Sequence, residues 1–108
     1  MIRDTIQREI DTITKQIVDV YQPEKIILFG SAARGDMRRD SDLDFLIIKK
    51  STKKSLHRMQ EVYKILRNIS RECPIDILVY TPEELQRRLD LGDFFIQDIM
   101  YEGKVLHG

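Results

Sequence analysis

Ile2, Ile6, Ile10, Ile13, Ile17 and Val20 recur every three or four positions, the period of one face of an α-helix of about five turns. Arg3, Arg8, Glu9, Asp11 and Lys15 fall on its other face. Tyr21-Gln22-Pro23 closes the helix, because the residue before a proline is driven out of the helical region. The apolar stripe reads as a core face, with a partner-binding face as the alternative. The period then changes. Lys25 to Phe29 is an almost unbroken apolar run, expected as a strand covered on both faces. In a second strand, Leu43 to Ile48, Leu43, Phe45 and Ile47 alternate with Asp42 just ahead of it and with Asp44, Leu46 and Ile48, so one side is polar only at its start.

Helical spacing returns from about Thr52 to about Ser70, with Leu56, Met59, Val62 or Tyr63, Leu66 and Ile69 as its stripe. His57 beside it reads as a surface residue, since no second His or Cys is placed to join it. Cys73-Pro74 breaks the chain, and Ile75 to Tyr80 reads as a third strand: Ile75, Ile77 and Val79 to one side, Asp76, Leu78 and Tyr80 to the other. Thr81-Pro82-Glu83-Glu84 combines a cap, a proline at the first helical position and a capping-box glutamate, starting a short helix to about Leu89. Another helix begins around Gly92-Asp93, with Phe94, Phe95, Ile99 and Met100 apolar, and ends at Gly103. Lys104-Val105-Leu106 is left as a small edge strand. These elements predict one α/β domain over residues 1–108, with a small mixed β-sheet and helices mainly on one face.

Charge narrows the function. Lys plus Arg and Asp plus Glu both number 18 in 108 residues, giving a net charge of zero. That argues against strong nonspecific nucleic-acid binding, which needs a basic surface, but leaves room for a nucleotide. The basic cluster Lys49, Lys50, Lys53 and Lys54 reads as a solvated loop and helix start, with contact to an acidic partner as the sharper alternative. The single Cys73 cannot form an internal disulfide and fits a reducing cytosol, so a cytoplasmic protein is expected. No apolar run is long enough to span a membrane, and no signal peptide is read.

Candidate chemistry concentrates between Phe29 and Ile48. Asp42 and Asp44 lie two apart at the mouth of the second strand, so both face one side, roughly 6–7 Å from each other. At an effective dielectric of about 20, their repulsion is on the order of 2–3 kcal/mol. A divalent cation between them reverses the sign, and hard oxygens without His or Cys suit magnesium or manganese. Upstream, Gly30 permits a tight turn and close approach to the backbone. Ser31 is placed to cap a short helix starting at Ala32. The exposed N–H groups of such a turn favour a phosphate, which Arg34, with Arg38 or Arg39 as weaker candidates, can bind further. The third carboxylate, Asp76, sits inside Ile-Asp-Ile-Leu-Val, where an unpaired buried charge is costly. If its strand lies beside the second, Asp76 joins Asp42 and Asp44.

Gly30-Ser31, ten residues, then Asp42-Leu43-Asp44 resembles the signature of the DNA polymerase beta-like nucleotidyltransferase superfamily. The chain looks, over nearly its full length, like the superfamily's minimal nucleotidyltransferase (MNT) group, many of which are antitoxins paired with HEPN-domain proteins. The resemblance implies the polymerase beta-like nucleotidyltransferase fold. It also implies that Asp42, Asp44 and Asp76 are catalytic and hold Mg2+ (or Mn2+), that Gly30, Ser31 and Arg34 bind the nucleotide phosphates, and that ATP is the donor. The implied acceptor is a tyrosine of a HEPN-type ribonuclease toxin, held in a hetero-oligomer and silenced by AMP. Two other readings remain open: an antitoxin that works by occlusion alone, and an enzyme with a small-molecule acceptor.

Overall fold

The computed structural model describes residues 2–38 and 40–108, without the side chains of Ile2 and Arg3. The elements are α1 (Ile2–Tyr21), β1 (Lys25–Phe29), α2 (Gly30–Arg34), β2 (Leu43–Ile48), α3 (Ser55–Leu66), β3 (Ile75–Tyr80), α4 (Pro82–Asp90), α5 (Phe94–Glu102) and β4 (Lys104–His107). The strands form one mixed sheet in the order β3-β2-β1-β4. β2 runs parallel to β3, while β1 is antiparallel to both β2 and β4. The apolar tail is therefore an edge strand, as its sequence suggests.

Strand alternation divides the core in two. Ile26, Leu28, Phe45, Ile47, Ile77 and Val79 point to the long helices, where they meet Ile10, Ile13 and Ile17 of α1 and Val62 and Leu66 of α3. Ile27, Phe29 and Leu46 point to the other face, where the short α5 covers them with Ile96 and Ile99, and Leu85 and Leu89 of α4 pack alongside. Buried Ile, Leu, Val and Phe side chains of this size each contribute about 1.5–3 kcal/mol. Asp44 and Asp76 share strand parity with Leu46 and Leu78, and so belong to the α4–α5 face.

Three helical stripes differ from the sequence pattern. In α1 the apolar face continues from Ile17 to the buried Tyr21, four residues on, and leaves Val20 exposed. The Lys49 ammonium lies 5.0 Å over the Tyr21 ring and donates to the Tyr21 carbonyl at 2.7 Å, which anchors the helix end. In α3 the buried face is Arg58, Val62 and Leu66, at spacings of four, and Leu56 is exposed. Arg58 is only 2% exposed and pairs with Glu84 through contacts of 2.8 and 3.0 Å. In α5 Ile96 and Ile99 are buried, whereas Phe94 is 81% exposed.

Boundaries also moved. α3 starts at Ser55 rather than near Thr52, because Ser51 Oγ accepts from the Lys53 N–H and turns the chain. It stops at Leu66, where the Ile69 N–H reaches the Leu66 carbonyl in a tighter turn. α4 opens with the full capping box expected of Thr81 and Glu84, and α5 opens with Asp93 accepting from the Ile96 N–H. Gly103 ends α5 in extended rather than left-handed backbone. A Cβ there would collide with Ile27 and the Ile99 carbonyl, so close packing selects the glycine.

Candidate active site

The site is built where β1 and β2 run out of partners at one end of the sheet. Phe29 is paired with Asp44 across the antiparallel β1–β2 ladder, and the next residue, Gly30, has φ +72°. Only glycine adopts that conformation without strain. A Cβ on Gly30 would also collide with the Asp44 carboxylate. The glycine thus lets the first turn of α2 lie directly against Asp44. Ser31 does not cap this helix: α2 already includes Gly30, Phe29 occupies the cap position in extended backbone, and Ser31 is a half-buried residue of the first turn.

The parallel β2–β3 ladder places Asp44 directly opposite Asp76. Adjacent strands lie about 4.8 Å apart, closer than the roughly 6–7 Å between alternate residues of one strand. Asp76 should therefore disturb Asp44 more than Asp42 does, and it does. The Asp44 carboxyl is raised from its ordinary 3.8 to about 6, first by burial, then by Asp76, then by Asp42, while the Arg34 guanidinium pulls it down. Asp42 is exposed one residue ahead of β2, and Asp76 is exposed on β3. Arg34 is exposed too, with Nε 3.4 Å from Asp36 Oδ2. Arg38 donates its backbone N–H to Ser41 Oγ at 2.8 Å. Arg39 lies outside the described residues.

Gly30, Arg34, Asp44 and Asp76 line a cavity of about 380 Å³, within the size range of small-molecule sites. Its far wall is one face of α5: Phe95, Asp98, Ile99 and Glu102, at spacings of three and four. The Phe95 ring meets Phe29 edge-on, with centroids 5.9 Å apart. Sequence reading missed Asp98 and Glu102. The signal was present: with Phe95 they fall on one helical face, next to the recognised apolar positions. Asp42 and Ser31 are not among the described lining residues, although the field of Asp42 reaches Asp44.

A hard dication matches this donor set, since it would offset both the burial of the Asp44 charge and the like charges of Asp76 and Asp42 that raise its carboxyl. Among the described residues, no three His, Cys, Asp or Glu side chains converge closely enough to hold a metal ion by themselves. Magnesium does not need such a cage, because it commonly takes one or two carboxylates and completes its shell with water and substrate phosphates. Carboxylates, Arg34 and a glycine turn around an open cavity therefore fit a phosphate-bearing substrate better than a structural metal.

This end of the sheet gathers Asp44, Asp76, Arg34 and the Gly30 turn on a small mixed α/β scaffold. The chain belongs to the nucleotidyltransferase domain family, whose description matches residues 8–106. It is 38% identical over 74 residues to "Putative protein adenylyltransferase MJ0141" of Methanocaldococcus jannaschii, a match covering 68% of this chain and 66% of the relative. The chain thus spans slightly less than two thirds of that relative's length. Two solved structures share the fold. One, a toxin-antitoxin crystallised with AMP-PNP, superposes with a TM-score of 0.64 at 23% identity, covering 91% of this chain and 72% of the other. The second, a mutant of the toxin-antitoxin MntA-HpeT, gives 0.61 at 20% identity with the same coverage. Among the described residues, no helix is long and apolar enough to cross a membrane.

Proposed function

We propose that this protein transfers AMP from ATP to a hydroxyl of a partner protein, and that the partner is a HEPN-type ribonuclease toxin modified on tyrosine. The observation that carries this is the Asp44–Asp76 pair, opposed across β2–β3 and packed against the Gly30 turn in a cavity that also holds Arg34. Gly30, Ser31 and Arg34 hold the outer phosphates. Asp44 and Asp76 would hold magnesium, with Asp42 adding its charge from one residue ahead of β2; when bound, the ion neutralises charge on the phosphates and on the reacting oxygens. Asp76, the more exposed of the opposed pair, takes the acceptor's proton. The acceptor oxygen forms a bond to the α-phosphorus, the bond to the β-phosphate bridging oxygen breaks, and pyrophosphate leaves in line.

A protein acceptor is supported by the surface. Phe94 and Tyr101 on α5 are 81% and 91% exposed, each next in sequence to a residue that lines the cavity. Exposed apolar groups of this kind are frequent at protein docking surfaces. The relative named as an adenylyltransferase and the toxin-antitoxin fold neighbours support the same class of reaction.

The test is incubation with ATP, magnesium and the protein encoded beside this chain, followed by mass spectrometry of that partner. One or more adenylates on a hydroxyl side chain are expected, lost in Asp44→Asn and Asp76→Asn. A partner that binds tightly, stays unmodified and is still neutralised by both variants would establish occlusion instead.

A further inference from the structure

We infer that α5 is the nucleoside-reading wall of this site: Asp98 and Glu102 accept hydrogen bonds from the ribose hydroxyls of the nucleotide, and Phe95 bears on its base. This rests on the proposed nucleotide transfer. The cavity has two chemically distinct sides. The sheet side carries Asp44 and Asp76, whose mutual repulsion calls for a cation, together with Arg34 and the Gly30 turn. That side suits the phosphates. On the helix side, Asp98 and Glu102 are one turn apart, and the arginine lining the cavity comes from α2, not α5.

An ionised carboxylate only accepts hydrogen bonds, and it repels phosphate oxygens. With no cation between, Asp98 and Glu102 face a part of the ligand that is uncharged and rich in donors. In a nucleoside triphosphate, a vicinal diol presents two O–H donors at close spacing, and two carboxylates one helical turn apart match it. Phe95 stands one turn before Asp98 on the same face, half-exposed and steadied edge-on by Phe29. It offers an aromatic surface to a base, a contact that every base can use. From Phe95 to Glu102 the helix advances about 10 Å, the scale of a nucleoside.

The experiment is calorimetric titration of the protein with magnesium and AMP-PNP, and with its 2′-deoxy and 3′-deoxy analogues, before any partner is added. The wild type should bind AMP-PNP at least about tenfold more tightly than either analogue, the ratio expected for losing a hydrogen bond to a charged acceptor. Asp98→Ala combined with Glu102→Ala should erase most of that ratio while retaining affinity for the deoxy analogues. Both side chains are exposed, so the fold should survive, as circular dichroism would check. Equal wild-type affinity for all three nucleotides overturns the inference without touching the transfer reaction. A ratio that persists in the double variant also overturns it. A double variant that binds normally but slows transfer of every nucleotide equally assigns the carboxylates to the acceptor, and so overturns it too. No wild-type binding of any nucleotide is the separate result that sinks the transfer proposal itself.

Discussion

Replacing Asp44 by Asn should stabilise the protein without metal near neutral pH. The folded carboxyl titrates at about 6 instead of 3.8, with burial, Asp76 and Asp42 as the causes. A raised folded value means that the protonated form is favoured in the fold. The associated stability is fully present below about 3.8 and is lost as pH rises through about 6. Above that range Asp44 is ionised in both states, and its charge opposes folding. The difference between 3.8 and about 6 corresponds to an upper limit of about 3 kcal/mol. Because Asp44 is only partly buried, solvent screening reduces this to about 1–2 kcal/mol. Asn keeps the shape and removes the charge. At pH 7.5 the melting temperature should rise by about 4–8 °C for a chain of this size, with the gain shrinking to nothing near pH 4. Thermal melts of both proteins in EDTA from pH 4 to pH 8 measure this. A variant that is less stable than the parent at pH 7.5, or a difference that ignores pH, would refute the electrostatic account of the site.

Other expectations follow from the same geometry. Gly30→Ala should cost roughly 1–3 kcal/mol by chemical denaturation, because its φ is +72° and the added Cβ meets Asp44; an unchanged midpoint would mean that α2 shifts freely. Arg34→Ala removes the cation that opposes the rise, so the Asp44 carboxyl should titrate above about 6 by carbon-detected NMR; a fall would contradict the assignment. Glu84→Ala strands the buried Arg58 guanidinium and removes the side-chain half of the α4 capping box, for a loss of about 3 kcal/mol or more. Glu84→Gln should recover part of it, with urea titration as the measurement. Magnesium with AMP-PNP at a hundredfold excess over the dissociation constant should stabilise the protein by about 2.7 kcal/mol, and no change in melting temperature would count against a nucleotide site.

Much of this arrangement was legible in the chain. The apolar runs around Ile26 and Phe45, and the Ile-Asp-Ile-Leu-Val stretch, placed three strands correctly because period-two burial leaves little choice of face. Asp76 was legible as a charge inside an apolar strand. Its position opposite Asp44 was not, since register in a parallel ladder depends on a crossover whose length does not fix the pairing. Arg58 was hidden because a buried arginine breaks the apolar stripe of α3, and only the three-dimensional position of Glu84 explains it. Val20 and Leu56 failed for the opposite reason: each is apolar and near the stripe, yet the helices turn Tyr21 and Arg58 inward instead. The far wall of the cavity was obscured because the apolar positions of α5 drew attention from Asp98 and Glu102 on the adjoining face.

The Asp44–Asp76 opposition also bears on the order of events during folding. The two residues are 32 positions apart, so their strands meet only after the chain has wound through α3 and returned. By contrast, β1 and β2 are close in sequence and can pair early. Closing β3 onto β2 therefore brings like charges together at a long-range step, where loop closure is slow. If that ladder is partly formed in the folding transition state, the refolding rate should increase as pH falls from 7 toward 5 and the Asp44 charge is neutralised. Asp44→Asn should refold at an almost pH-independent rate over the same range. The charged pair would then act as a kinetic brake on the docking of β3, one that a divalent cation could release.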